Sequence, residues 1–573
     1  MDWTWAEIEP QYQKLLGTSL TSQNVALWLK DWTRLSDLIS ERYARLNLAA
    51  NQDTNDPDAE RNLAEFLDQV YPKVKASEQK LKEKLLSSQL EPAGFAVPLR
   101  KMQCEAAIFR SENLSLLADE RKLAARYDRI IGAQSVDWQG EERTLPQMRT
   151  IVQTPDRPTR QRAWRMVNQR QLDDRQGINQ LWSELFAIRL QMAKNASFTS
   201  YRDFRWQQLL RLDYTPQDCL EFQAAIEQVA VPAATRLYER RRRQLGLDRL
   251  RPWDLDQDLY PIQQQPLPPI ENTEQLKRAV HAIFEQLDPE LGAYFRSLWE
   301  QDCLDLDNHK GKAPGAYCTA FPVSRHPFIF MNAVGLAEDM RTLIHEVGHA
   351  FHNFERLKLP YFQQRVPGLE FAEVASIAME LLTGPYLSNE NGGPYDSQEA
   401  ARARAAVLEH TILFWPYMAV VDAFQHWAYQ NPAQAVHSEE CDTHWLALWQ
   451  RYIPGVDWSG LEEAAMTGWQ RKAHIHRSPF YYVEYGLAQL GAVLIWRSAM
   501  DDSQAAIAAY RRGLALGGTA TLPELYRAAG AKFAFDADTL RQAVDLLEKK
   551  LLDLEDQINH KTRMAQPGAE SSL

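Results

Sequence analysis

The stretch Asp339-Met340-Arg341-Thr342-Leu343-Ile344-His345-Glu346-Val347-Gly348-His349-Ala350-Phe351-His352 decides how the chain is read. Leu343, Ile344, Val347, Ala350 and Phe351 recur at three- and four-residue intervals, the period of a helix with a buried face. Asp339 reads as its N-cap. On such a helix His345 and His349 project from one side, one turn apart. Two neutral imidazoles at that separation can hold one zinc ion, and Glu346 beside the first can reach a water on the metal. A buried helix is also rigid, as a metal platform must be. A core helix whose histidines bond their neighbours would look the same, so the next segment has to discriminate.

A catalytic zinc site needs a third protein ligand and an open place for water. After His349 the chain runs Ala350-Phe351-His352-Asn353-Phe354-Glu355, which excludes the HExxHxxGxxH arrangement. The third ligand is therefore expected to be a carboxylate on another element. Pro367-Gly368 marks a turn, and Leu369 to Glu380 reads as a second helix able to cross the first. Glu370, Glu373 and Glu380 are the candidates. Glu373 and Glu380 share a face, Glu370 lies about one turn before Glu373 on the same side, and spacing leaves all three open.

Away from these helices the text is mostly amphipathic helix. From Thr21 to about Leu247, apolar residues recur at three and four, as in Val25, Trp28, Leu29, Trp32, Leu35, Leu38 and Ile39. The run Arg240 to Arg243 reads as a solvated helix face. Arg251 to Pro269 reads as a long surface connection, and helix resumes at Thr273, a plausible N-cap, running towards Leu304. Two β-prone runs, Gly311 to Ala320 and Pro327 to Asn332, suggest a small hairpin or sheet. An extended strand there, beside a zinc site, can pair with a peptide backbone.

The 573 residues allow two to four domain-sized units, and 45% hydrophobic content is enough for a large core. Acidic residues outnumber basic ones, 76 to 64, for a net charge of -12, which argues against a nucleic-acid partner. The five cysteines are scattered without CxxC spacing, so neither a disulfide framework nor a thiolate zinc site is expected. No signal-peptide pattern and no membrane-spanning apolar run is read, and a reducing, cytoplasmic setting fits best.

The segment His474-Ile475-His476-Arg477-Ser478-Pro479-Phe480-Tyr481-Tyr482-Val483-Glu484-Tyr485 is rich in hydrogen-bond donors, as hydrolysis through an oxyanion requires. Tyr482 and Tyr485, three apart, would share a helix face, and His476 offers the same chemistry as His474. His410, His426, His437 and His444 show no metal-ligand spacing with a carboxylate and read as structural or solvated.

These motifs together resemble the oligoendopeptidase F and thimet-oligopeptidase family of zinc metallopeptidases, more closely its oligoendopeptidase F branch. The resemblance is carried by H-E-x-G-H-x-x-H at His345 to His352 and by E-x-x-S at Glu373-Val374-Ala375-Ser376. It extends from about Tyr201 to Phe535, through Tyr201-Arg202-Asp203-Phe204-Arg205-Trp206 and Leu516-Gly517-Gly518. It implies that Glu373 is the third zinc ligand, with His352 and Glu380 orienting the ligands from behind. It implies that His474, Tyr482 and Tyr485 donate to the substrate carbonyl and oxyanion, and that Gly315, Ala316 and Tyr317 hold substrate backbone.

The implied fold is mainly α: a two-lobed helical clamshell with a deep central cleft and a small β-hairpin or sheet beside the zinc helix. The expected division is an N-terminal helical lobe over 1–150, a zinc peptidase domain over 151–560 and a frayed polar tail over 561–573. The expected activity is cleavage of internal bonds in short peptides with one zinc ion, Glu346 taking the proton of the water. A zinc exopeptidase of carboxypeptidase type and a non-catalytic helical scaffold are the competing readings. Glu346 beside both histidines speaks against a scaffold, which needs no general base.

Overall fold

The apolar repeats of the sequence become helix through most of the chain in the computed structural model, which describes residues 4–54, 56–152, 154–255, 267, 270–309, 312–313 and 315–564. The described chain gathers into two units, each built from three separated stretches. The first takes Met1–Ala107, Leu267–Ala403 and Ala488–Phe533, and the second Ile108–Pro266, Arg404–Leu487 and Ala534–Leu573. Among the described residues no helix is long and apolar enough to cross a membrane.

In the first unit the helix Val25–Gln52 buries Val25, Trp28, Leu29, Trp32, Leu35 and Ile39, the stripe its period implies. That stripe packs with Ile8, Tyr12, Phe66, Leu81 and Leu85. A small sheet lies in the same unit. Five strands occur among the described residues: β1 (Ser135–Trp138), β2 (Glu141–Thr144), β3 (Leu304–Asp307), β4 (Tyr317–Phe321) and β5 (His326–Ala333). The two β-prone runs of the sequence are β4 and β5, which pair antiparallel with Tyr317 opposite Phe330 and Phe321 opposite His326. β3, read as the end of a helix, instead pairs parallel to β5, giving the order β3-β5-β4. The preceding helix Pro289–Glu300 stops before Asp302, which is left-handed at φ 51°, and Leu304-Asp305-Leu306-Asp307 then alternates at strand period.

Of the stretch leading into β4, Lys310, Gly311 and Pro314 lie outside the described residues. Lys312 is buried and held by Asp305 at 2.6 Å, by the Asp307 carbonyl at 2.7 Å and by the face of Phe330. Gly315 takes φ +103°, a conformation that side chains resist, and it lets the chain turn into the strand.

Two helices beside the sheet carry the paired histidines and the candidate glutamates. α1 spans Ala337–Arg356 and α2 spans Leu369–Leu382; α3, Ser503–Ala515, packs against α1. Asp339 is not the N-cap. It lies in the first turn of α1, and its Oδ2 accepts the amides of Val334, Gly335 and Leu336 at 2.7–2.9 Å, because a carboxylate there can reach back over the free N–H groups. The cap of the helix Thr273–Leu287 likewise falls one residue early, on Asn272, which accepts from the Gln275 amide at 2.9 Å. The α1 flank Leu343, Ile344, Val347, Ala350 and Phe351 is buried as its period implies.

α1 and α2 meet backbone to backbone. A Cβ on Gly348 would stand 2.6 Å from the Ala375 carbonyl oxygen and 2.6 Å from the Ser376 Cα. The Tyr510 hydroxyl of α3 donates to that same carbonyl at 2.8 Å.

In the second unit, β1 and β2 form a hairpin inside the stretch that the apolar spacing reads as amphipathic helix. Gln139 and Gly140 both have positive φ, 59° and 87°, the geometry of a tight two-residue hairpin turn. The arginine run is only partly a solvated face. Arg242 and Arg243 pair with Glu239 on the surface, whereas Arg240 bridges Glu409 and Glu555 at 2.7 Å and Arg241 donates to the Leu255 carbonyl. Most of the expected surface connection, residues 256–266 and 268–269, lies outside the described residues. The last helix, Ala537–Met564, covers the first four residues of the expected frayed tail, and 565–573 lie outside the described residues.

Substituting Gly348→Ala is expected to destabilise the protein by about 1–3 kcal/mol, since neither backbone can retreat without unpacking a helix. Urea unfolding measures this, and an unchanged midpoint would mean the helices do not touch there.

Candidate metal centre

α1 presents His345 and His349 one turn apart, with ring centroids 5.1 Å apart and planes at 82°. From α2, Glu373 Oε2 lies 3.6 Å from the Nε2 of each histidine. Donor separations of this size suit bonds of about 2 Å to one central ion, and two imidazoles with a carboxylate are a zinc-type donor set. Ser376, one turn on, donates its hydroxyl to Glu373 Oε2 at 3.1 Å and so fixes the carboxylate. Glu380 Oε1 accepts from His345 Nδ1 at 2.7 Å, while its Oε2 faces Arg341 at 3.4 Å. That bond holds a proton on Nδ1 and leaves Nε2 as the nitrogen turned towards Glu373 and open to a metal ion. Glu370 is placed differently: its carboxylate turns back over Gly368. Of the three glutamates that spacing leaves open, one therefore meets both imidazoles, one backs His345 and one stands apart.

The electrostatics follow from burial. Desolvation disfavours charge on His345, but the hydrogen bonds and charges of Glu373 and Glu380 outweigh it and push its pKa up to about 10. His349 has no such carboxylate behind it, and burial brings it down to about 4. Burial raises Glu346 to about 7, with Glu373 and Glu380 adding to the effect and His345 opposing it. Glu346 is 6% exposed, and its Oε2 has no hydrogen-bond partner among the described residues. A buried carboxylate oxygen without a partner, beside the donor trio, is where a metal-bound water would fit. His352 packs edge-on against Phe371, and its Nε2 also lacks a partner among the described residues; burial holds its pKa well below the ordinary value.

Gly315, Ala316 and Tyr317 lead into β4, an edge strand of the sheet. The Asn332 side chain donates to the Ala313 and Gly315 carbonyls at 2.8 and 3.0 Å, and Tyr317 stacks on Phe330 at 4.9 Å while its hydroxyl accepts from Asn51. The Tyr317 side chain thus serves the fold.

In the second unit His474, Tyr482 and Tyr485 form one cluster. Ring centroids are 5.0 Å apart for His474 and Tyr482, 5.9 Å for His474 and Tyr485, and 5.7 Å for the two tyrosines. Tyr481 joins them, 5.4 Å from Tyr485. Tyr482 precedes the helix Val483–Asp501, so the two tyrosines are not on one helix as expected; a loop sets the first of them. Phe480 in that loop is left-handed at φ +64°, held by Arg211 on its carbonyl and by Gln425 on its amide at 2.7 Å. His476 is elsewhere. It is fully buried, stacked on Tyr127 at 4.4 Å, and burial takes its pKa down to about 3.

His426 does have a carboxylate at ligand spacing, contrary to the reading of the sequence. Asp422 precedes it by one helical turn, and Cys219 brings a third donor atom into the same group. All three are 0–2% exposed, which closes that trio to substrates. Gln223 donates to Asp422 at 2.7 Å.

Peptidase family M3 matches residues 150–545 of the chain. The chain belongs to that family. Curated relatives include the chromosomal oligoendopeptidase F of Lactococcus lactis subsp. cremoris, 27% identical over 298 residues, covering 49% of this chain and 46% of that protein. The plasmid-borne oligoendopeptidase F of the same organism is 25% identical over 375 residues, 63% of this chain and 58% of its own length. The chain thus spans about half the length of the curated relatives it matches. A solved structure of PZ peptidase A with an inhibitor superposes with TM-score 0.88 at 28% identity, covering 96% of this chain and 98% of that one. A solved structure of a putative oligoendopeptidase F matches equally well, with TM-score 0.88 at 28% identity over 96% of this chain and 97% of that one, so the mainly helical fold is shared with both.

Sequence reasoning did not assign Ser376 its hold on Glu373, although the serine stands in the E-x-x-S motif. It also missed the Asp422–His426 pair, whose four-residue spacing was the available signal.

In chelator-treated protein, ring resonances followed by NMR should show His345 charged up to about pH 10 and His349 neutral down to about pH 4. The raised value means that His345 adds stability below its ordinary 6.5, lost as pH climbs through about 10. The lowered value means that His349 adds stability above 6.5, lost as pH falls through about 4. Glu380→Gln should bring His345 down. A His345 that already titrates at its ordinary value in the unsubstituted protein would mean that Glu380 does not hold its Nδ1.

Proposed function

We propose that this M3-family chain is a zinc-dependent endopeptidase that cleaves internal bonds of short peptides, with the ion held by His345, His349 and Glu373. The observation that carries the reading is the approach of Glu373 Oε2 to both imidazoles at 3.6 Å beside a buried Glu346. When bound, zinc would act as a Lewis acid, polarising the scissile carbonyl and making a water acidic near neutral pH.

The remaining work falls to the chain. Glu346 takes the proton of the attacking water and delivers it to the leaving amine, a task suited to a carboxylate whose pKa burial has brought up to about 7. Glu380 keeps the His345 Nδ1 proton in place, Ser376 steadies Glu373, and His352 supports the ligand helix from its buried side. His474, Tyr482 and Tyr485 donate hydrogen bonds to the substrate carbonyl and oxyanion, a role the family resemblance suggests and their clustering supports. The backbone of Gly315, Ala316 and Tyr317, on the edge of the sheet, pairs with an extended substrate. Five cysteines that form no disulfide fit a reducing, cytoplasmic setting.

Glu346→Gln is expected to retain one zinc per chain by metal analysis and to lose about 10²–10⁴-fold in kcat on a quenched fluorescent peptide blocked at both ends. Undiminished turnover would remove Glu346 as the base. Cleavage of free-ended peptides only would favour the exopeptidase, and inertness of the zinc-loaded chain the scaffold. Glu380→Gln should weaken zinc binding about 10–100-fold in a chelator competition, and unchanged affinity would leave Glu380 no role behind His345.

A further inference from the structure

Lys472 precedes His474 by two residues, and its surroundings differ from those of the buried Lys312. Its Nζ lies 3.8 Å from the ring centroid of Tyr482 and 5.0 Å from that of Tyr417. The two rings meet at 87° with centroids 5.9 Å apart, so the ammonium sits in the corner between two aromatic faces. His474, 5.0 Å from Tyr482, extends the same wall.

Among the described residues no carboxylate pairs with Lys472. Lys312 shows the usual solution to burying an ammonium: Asp305 meets it at 2.6 Å and two carbonyls join in. At Lys472 the ring faces supply the attraction, which offsets only part of the lost hydration. Burial accordingly takes its pKa down to about 7. The side chain is nonetheless partly exposed, so a solute can reach it. A cation that is half-desolvated, aimed by aromatic rings and left without its anion is preorganised to receive one.

We propose that Lys472 forms an anion subsite that takes a carboxylate of the peptide, either its C-terminus or an acidic side chain, with Tyr417 and Tyr482 holding the ammonium in place. This rests on the reading of His474 and Tyr482 as substrate-facing. Carboxylates are the anions that unmodified peptides carry, and the ammonium would regain through one of them the charge partner the fold withholds. Capture of a C-terminal carboxylate would also fix the register of the substrate, so that cleavage falls at a set distance from that end whatever the peptide length.

The test uses the zinc-loaded full chain and matched quenched fluorescent peptides. One pair differs in a C-terminal acid against amide, and a second pair, both amidated, differs in Glu against Gln at one internal position. The unsubstituted protein is expected to favour the acid member of one pair by about tenfold in kcat/KM, mainly through KM. Lys472→Met should bring that ratio close to one and Lys472→Arg should preserve it. Because each ratio is taken within one protein, partial misfolding of a variant cancels. Loss of the ratio in the first pair assigns the C-terminus, and loss in the second assigns an acidic side chain. No preference in the unsubstituted protein, or a preference that survives in Lys472→Met, overturns the subsite. If the unsubstituted protein cleaves none of the peptides, the proposed activity fails. Fluorescence titration of the same pairs against unsubstituted and Lys472→Met protein then reads the same ratio from affinities.

Discussion

The candidate centre depends on how closely two helical backbones can approach. Glu373 reaches both imidazoles only because α2 lies directly against α1, and it lies there because Gly348 carries no side chain. The glycine sits between the two histidines on the chain and is turned towards Ala375 and Ser376. Packing at that point is the close backbone contact that small residues permit. Tyr510 then ties the Ala375 carbonyl from a third helix, so the crossing is held from two sides. A buried polar anchor of this kind strengthens a crossing because leaving it unmade would cost more than making it returns.

The charges gathered there suit a cation. Glu346, Glu373 and Glu380 bring three carboxyl groups into a space shared with two imidazoles, and all three are largely buried. One proton can sit on His345, opposite Glu380, and Glu346 resists ionisation. A divalent ion between the Nε2 atoms and Glu373 Oε2 would replace proton sharing with metal coordination, and burial would then favour the arrangement it now opposes.

Much of this was legible in the sequence, for a physical reason. Helical period fixes which residues share a face, so the placement of His345 with His349 and the buried flank of α1 follow from spacing alone. The antiparallel pairing of β4 with β5 follows from two β-prone runs joined by a short turn. What spacing could not reach was the partner across a tertiary contact. Glu370, Glu373 and Glu380 are equivalent on a helical wheel until the crossing angle with α1 is known, and only family resemblance singled out Glu373. β3 was missed because it is four residues long and pairs with a strand that follows more than twenty residues later. His474 and His476 could not be separated because a five-residue helix and a strained loop decide which ring turns to the tyrosines. The two units were hidden for a related reason, since each collects stretches that alternate along the chain with those of the other.

Phe480 has a bearing on how firmly the tyrosine cluster is held. A bulky residue in the left-handed region is uncommon and is tolerated only where its surroundings insist on it. Here Arg211, itself paired with buried Glu484 at 2.7 Å, does so through the Phe480 carbonyl and Gln425 through the Phe480 amide. The conformational entropy of the loop is thus surrendered when the unit folds, not when a molecule arrives. Heat should loosen the tyrosine cluster only together with the helices that grip it, so its ordering belongs to the melting of the unit as a whole and has no separate, lower-temperature transition.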